Sequence, residues 1–261
     1  MRITRLILLG LAVGLAGCRS GTLPNPNDPK DVGGITIDNL EDQLSCVSDM
    51  LLGREAKGQI TDKQFHELMQ EEAAKLLKGL DTDKTDVSKL WQVGDVMLTA
   101  KEWDKAKPIL EAAITWAKEN HNDDRWVNDS LRLAHVEAEL NKVPEAIKTA
   151  RSVFAVSPFG AAPILYGVLY DIAPAARGKG HDLELAKLIE DAMVIDLHVR
   201  VDTRFEGSRE FVKRRPDHLR NAWAFIEKLY DDANRPDLKV QARQRLTEKD
   251  RLTMPDPQIR V

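Results

Sequence analysis

The densest alternation of chemistry-bearing side chains in the sequence is Asp196, His198, Arg200, Asp202 and Arg204. An Asp beside a His is the arrangement in which a carboxylate orients an imidazole for proton transfer, and it needs a nucleophile or a bound water next to it. No Gly-x-Ser-x-Gly elbow occurs in the chain, and Ser208 has no helpful neighbours in sequence. Five alternating charges on an extended segment are therefore read first as a salt-bridged linker. An enzyme site assembled around Asp196 and His198 is the alternative.

Three other strings imitate reactive motifs and fall short of them. His66-Glu67-Leu68-Met69-Gln70 opens like a zinc-protease helix, but Gln70 stands where the second His ligand must be. Asp81, Asp83, Thr85 and Asp86 open like a calcium loop, but Asp86 occupies the place that needs Gly and Gln92 that of the bidentate Glu, so the segment is read as a helix-capping turn. Lys213-Arg214-Arg215 suits anionic lipid or an acidic partner, yet three adjacent charges also make an ordinary solvated turn. No catalytic set, metal site or cofactor is assigned, and the chain is expected to be noncatalytic.

Elements to position such residues must come from 261 residues, enough to bury a sizeable core as one domain or a stack of repeats. The 38 basic and 42 acidic residues leave a net charge of −4. Without residues 1–17, which hold Arg2 and Arg5 and no acid, the balance is 36 to 42, a net of −6. A mildly acidic body lacks the basic stripe that nucleic acid requires.

Met1, Arg2 and Arg5 form a positive n-region, and residues 6–14 are an apolar segment too short for a stable transmembrane span. Leu15-Ala16-Gly17-Cys18 follows, and it resembles the lipobox of bacterial lipoproteins. The resemblance implies cleavage before Cys18, a diacylglycerol on its thiol and a further fatty acyl (palmitate-type) chain on its amino group. Two or three chains, at about 0.8 kcal/mol per buried methylene, hold a protein on a bilayer durably. Arg19 in place of the Asp that retains such lipoproteins at the inner membrane points to the outer membrane, facing the periplasm. Cys46 is then left without an intrachain partner, and its setting among Leu44, Val47 and Leu51 predicts a buried, inert thiol.

Residues 18–37 read as a lipidated tether, rich in Gly, Pro, Asn and Asp and spanning at most about 3.3 Å per residue. An N-terminal helical pair is expected over 38–80. Asp38 caps a helix ended by Gly53, and Thr61 with Gln64 forms a capping box for a helix ended by Gly79. Helices follow at 86–99, 103–119, 125–140 and 143–156, then at 161–173 and 182–198 with a loop at 174–180. Residues 201–261 hold C-terminal helices starting near Pro216 and after Pro236, with a frayed tail containing Pro255 and Pro257. The fold class is all-α.

Over 81–200 the helices pair with a spacing of 40 residues: Gly94 aligns with Ala134, Val93 with Leu133, Trp103 with Val143, Ala106 with Ala146 and Ala113 with Val153. These positions resemble the tetratricopeptide repeat, in which a small residue lets helix A cross helix B closely and a bulky one opens helix B. Gly94 is expected to face Ala106, Trp103 to plug the hairpin turn, Pro158 to close the second unit, and Gly167 with Ala186 to form a looser third. Met97 and Glu137 replace the family's Tyr, and the period exceeds its roughly 34 residues, the excess being assigned to a polar insertion at 119–124.

The resemblance implies antiparallel helical hairpins stacked as a short solenoid whose A helices line a partner-binding groove. Carried across, the groove positions are Ser88, Trp91, Asp95, Leu98 and Thr99, then Asn128, Leu131, His135, Ala138 and Glu139. Trp91 and His135 are the foremost contact candidates. In layout alone (lipobox, tether, repeats) the chain resembles tetratricopeptide lipoproteins of the outer-membrane barrel-assembly machine. The expectation is a scaffold or adaptor in the envelope, taking a protein or peptide partner. The alternatives are the envelope enzyme above and a structural or small-ligand-binding lipoprotein.

Overall fold

In the computed structural model, which describes residues 36–80, 82, 85–156, 164–199, 204 and 206–247, every regular element is helical. Cys18, Asp81, Asp83, Pro158, Arg200, Asp202, Pro255 and Pro257 lie outside the described residues, as does the lipobox with nearly all of the tether. The chain forms two compact units, 1–113 and 114–261.

In the first unit α1 (Leu40–Ala56) packs on α2 (Asp62–Lys78), and both pack on α3 (Leu90–Thr99). Leu40, Leu51, Ala73, Leu76, Val93 and Val96 are among the buried residues. The start of α1 corrects the expected cap. A short 3-10 turn, Ile37–Asn39, precedes it, with the Asn39 side chain accepting from the Thr36 N–H at 2.9 Å, while Asp38 pairs with Lys89. Nor does Gly53 stop the helix. It sits on an open face where a side chain would meet nothing, and the chain leaves the helix three residues later through Gly58 at φ +66°. The cap at α2 is as expected: Gln64 N–H donates to Thr61 Oγ1 at 3.3 Å and Thr61 N–H to Gln64 Oε1 at 2.9 Å. Asp86 likewise accepts from Ser88 N–H at 2.8 Å ahead of α3. Cys46 is half-buried, not buried as expected.

The helix α4 (Trp103–Glu119) starts in the first unit and ends in the second. Across α3 and α4 the close approach is real, but its partner is not Ala106. A Cβ on Gly94 would lie 2.6 Å from Leu110 Cδ2 and 3.2 Å from its Cγ, so a fully buried leucine one turn further along occupies the space. Trp103 is half-buried at the head of α4.

The second unit holds α5 (Asp123–Glu139), α6 (Val143–Arg151), α7 at 164–176, α8 (Asp182–His198), α9 (Glu206–Asp232) and α10 (Pro236–Thr247). α5 packs on α6 and α7, α8 on α6, α7 and α9, and α10 on α9. Val127, Leu131, Ala134 and Ala138 recur at helical spacing and are buried as one seam of α5. Gly167 lies against that seam, where a Cβ would come within 3.2 Å of Leu131 Cδ1, so the expected pairing of Gly167 with Ala186 is replaced by contact with α5. Glu137, standing where the repeat's Tyr is expected, is buried and accepts from the Thr149 hydroxyl at 2.7 Å.

One turn design recurs. Lys101, His121, Asn141 and Asn234 all take left-handed φ (57°, 53°, 64° and 53°) two residues past a helix end. In each case that residue's N–H and the next one donate back into the helix, as in Lys101 to Leu98 O and Glu102 to Met97 O, both at 3.0 Å. This is the Schellman closure, made without the usual Gly. It sets the spacing: α4, α5 and α6 begin at 103, 123 and 143 after equal three-residue turns. The segment 119–124 is therefore not an insertion. Glu119 ends α4, Asn122 Oδ1 caps α5 by accepting from Arg125 N–H at 3.1 Å, and the extra length lies in two 17-residue helices. Because a side chain at left-handed φ costs roughly 1 to 2 kcal/mol and Gly costs less there, Lys101→Gly should raise the unfolding free energy by about 0.5 kcal/mol in urea denaturation.

Two further expectations change. Pro174 lies inside α7 and the connection to α8 is 177–181, with Gly178 and Gly180 at φ +74° and +88°. Pro216 lies within α9 instead of starting it; both it and Val212, four residues before, are exposed, so the lost backbone bond falls on the solvent side. Lys213-Arg214-Arg215 is consequently helical.

Candidate functional site

Five buried or half-buried polar residues of α5, at 125, 128, 129, 132 and 135, with the exposed Glu139 after them, lie beside the apolar seam. Asp129 is almost wholly buried, and its Oδ1 accepts from Arg125 Nη2 at 3.1 Å and Arg132 Nη1 at 3.0 Å. Burial pushes its carboxyl above the ordinary value, and the two guanidiniums pull it back. Arg132 also acts electrostatically on Asp171 of α7, as does His135. Asp171 keeps solvent contact, yet surrounding protein displaces enough water to raise its carboxyl despite both cations.

Asp171 belongs to a π-helical stretch, Gly167–Ile172, in the middle of α7. Such a stretch inserts a residue into the helical register and changes which side chains leave the buried face. Here Tyr166 and Tyr170 emerge, 50% and 36% exposed, with ring centroids 4.8 Å apart. Both rings meet His218 of α9 edge-on at 5.9 and 5.6 Å. Tyr170 Oη lies 3.0 Å from His218 Nδ1 and accepts from Asn221 Nδ2 at 2.9 Å, so the exposed ring is held in one orientation. α5, α7 and α9 thus present adjoining side chains: a charged group (Arg132, His135, Asp171) and an aromatic group (Tyr166, Tyr170, His218).

The chain matches no family model, no curated protein and no solved structure.

A cleft of about 340 Å³ opens beside the aromatic group, lined by Leu165, Tyr166, Asp196, Glu210, Phe211, Arg214 and His218. Asp196 is 4% exposed. Its Oδ2 stands 3.2 Å from Arg215 Nε, close enough for an ion pair, but the two are not aligned as a hydrogen bond. Burial raises the Asp196 carboxyl, against Arg215 and His218. Arg215 lies over Phe211, 4.9 Å from the ring centre, and Arg214 Nε donates to Glu210 Oε1 at 2.8 Å.

Asp196 and His198 do not form a dyad. They close α8 instead of forming an extended segment, where residues two apart diverge by about 200° around a helix. Asp196 turns into the cleft; His198 is exposed, with its Nδ1 2.6 Å from Val194 O. Arg204 is exposed and its carbonyl accepts from Arg209 at 3.0 Å. His66 is exposed, 3.4 Å from Asp62, and among the described residues no three His, Cys, Asp or Glu groups cluster as metal ligands.

Of the groove positions in the second unit, Asn128 and His135 are half-buried, Glu139 is exposed, and His135 Nε2 lies 3.6 Å from Glu139 Oε1. Leu131 and Ala138 are buried under α7, which removes them from any groove. In the first unit Ser88, in the 3-10 turn Val87–Lys89, and Trp91, Asp95, Leu98 and Thr99 on α3 are all half-buried, and Thr99 donates to Asp95 O at 3.1 Å. Sequence reasoning missed Arg132, Tyr166, Tyr170, Asp171, His218 and Asn221. The available signal was that two of the chain's three tyrosines stand one turn apart in an otherwise apolar segment.

Proposed function

We propose that the protein is a noncatalytic scaffold of the bacterial envelope, lipid-anchored through Cys18, which holds a protein or peptide partner on the face shared by α5, α7 and α9. One observation carries this reading: Tyr166 and Tyr170 are exposed yet locked by His218 and Asn221. Pre-ordered aromatic side chains at a surface lose little entropy on contact and are the usual anchors of an interface. The flanking Arg132, His135, Asp171 and Glu139 supply the charged rim that selects a partner.

The finer architecture in this reading is a short tetratricopeptide-like solenoid, anchored at the outer membrane and facing the periplasm. Its support is the even spacing of helix starts at 103, 123 and 143 and the stacking of α7 on α5 and of α8 on α6. Ser88, Trp91, Asp95 and Thr99 would offer a second contact surface on the first unit. Among the described residues no helix is long and apolar enough to cross a membrane, so attachment in this reading falls to Cys18.

The direct test is Tyr166→Ala with Tyr170→Ala, measured by recovery of crosslinked partner from envelope membranes. Truncating two anchors worth about 2 kcal/mol each should lower recovery at least thirtyfold. Unchanged recovery would remove the face from the account.

A further inference from the structure

The hydrogen bond between Tyr170 and His218 can run in only one direction at a time, and the charge of the ring decides which. Tyr170 Oη accepts from Asn221 Nδ2 at 2.9 Å, so its own proton needs an acceptor, and His218 Nδ1 stands 3.0 Å away. A phenol is a stronger acid than a neutral imidazole N–H, and a bare ring nitrogen is a stronger base than a phenol oxygen. With a neutral ring, therefore, the hydroxyl donates to Nδ1. Protonation of the ring removes that acceptor, because both nitrogens of an imidazolium are donors. Two N–H groups then converge on Oη, from His218 and Asn221, and the hydroxyl proton must turn away from both. Tyr170 is 36% exposed, so the direction left to that proton is outward.

We propose that His218 gates the Tyr170 hydroxyl: with a neutral ring its donor is spent inside the protein, and with a protonated ring it is offered to an acceptor oxygen of the partner. Contact on this face then strengthens as pH falls through the span in which histidines titrate, about pH 8 to pH 5. In naming a partner this rests on the scaffold reading above; the switch itself does not. Oη and Nδ1 keep one hydrogen bond in either state, so the rings hold their places and only the polarity of the surface changes. The charges around His218 come in pairs: Asp196 of α8 with Arg215, and on α9 Glu210 with Arg214 and Asp217 with Arg220. α7 contributes the Tyr166 and Tyr170 rings, while its Asp171 interacts with Arg132 and His135 of α5. The α10 cations Arg243 and Arg245 lie further along α9, at Glu227 and over Trp223. Asp196 and His135 also titrate near this face, and a variant that alters His218 alone separates them from the gate.

Ultraviolet Raman spectra of the full-length protein in detergent micelles test this, because the tyrosine Fermi doublet reports whether a phenol oxygen donates or accepts. Expected, in the difference between wild type and Tyr170→Phe, is a doublet that moves toward the acceptor limit as pH falls. It should track the imidazole C–H resonances of His218 and stay still in His218→Asn, which keeps an acceptor near the place of Nδ1 and does not titrate. Recovery of the crosslinked partner should rise about fivefold over the same span, the worth of one hydrogen bond. It should stay level in Tyr170→Phe and in His218→Asn. A doublet that does not move, one that moves equally in His218→Asn, or recovery indifferent to pH overturns the gate. A moving doublet with no partner recovered at any pH leaves the switch standing and removes the scaffold reading. A still doublet with full recovery does the reverse.

Discussion

Cys18→Ser should move the protein out of the membrane pellet and remove its added acyl mass. One sulfur-to-oxygen replacement deletes the thiol nucleophile that the lipobox resemblance provides for the lipid. Each lost methylene takes away about 0.8 kcal/mol of bilayer attachment, so two or three chains amount to tens of kcal/mol. Nothing among the described helices can substitute, since none is long and apolar enough to span a bilayer. Fractionation after a high-salt wash, with intact-mass measurement, reads the outcome. A variant that pellets like the wild type would mean that the anchor is not at Cys18.

Leu110→Ala should be the most costly single core truncation in the first unit, at about 3 to 4 kcal/mol in urea denaturation. Leu110 is fully buried, and its terminal methyl fills the gap that Gly94 leaves between α3 and α4. Gly94→Ala alone places a Cβ 2.6 Å from that methyl, and a buried leucine has little room to turn away. Overpacking of this kind costs about 1 to 3 kcal/mol, offset by roughly 1 kcal/mol from replacing Gly inside a helix. The two changes together should be less harmful than Leu110→Ala alone, because the new methyl enters the space that the leucine vacated. A purely additive pair would show that the helices do not meet at these residues.

Legibility in the sequence followed how local each determinant is. The limits 103–119 for α4 and 182–198 for α8 were readable from apolar spacing, and Thr61 with Gln64 was readable as a cap because its partners are three residues apart. Gly53 and Pro216 misled because each is tolerated on an exposed helix face, where neither the missing side chain nor the missing N–H leaves a buried defect. Leu131 and Ala138 were assigned to a groove together with the accessible Asn128, His135 and Glu139, since the packing of α7 on that seam involves Gly167, 36 residues beyond Leu131. The Asp196 neighbourhood was invisible for the same reason: its companions Arg215 and His218 lie on α9 and reach it only through the packing of α8 on α9. The exposed tyrosines flank or lie in a π-helical stretch, Gly167–Ile172, which apolar spacing at the α-helical period does not mark.

The most direct test of the scaffold account is photocrosslinking in intact cells. A photoreactive residue is placed in turn at Glu139 on α5 and Asp217 on α9, both exposed, with Glu184, exposed on α8, as the control. The account predicts one discrete adduct from Glu139 and Asp217, none from Glu184, and at least a tenfold loss of that adduct when Tyr170→Ala is added. Adducts of equal yield from all three positions, or an adduct indifferent to Tyr170, would contradict it.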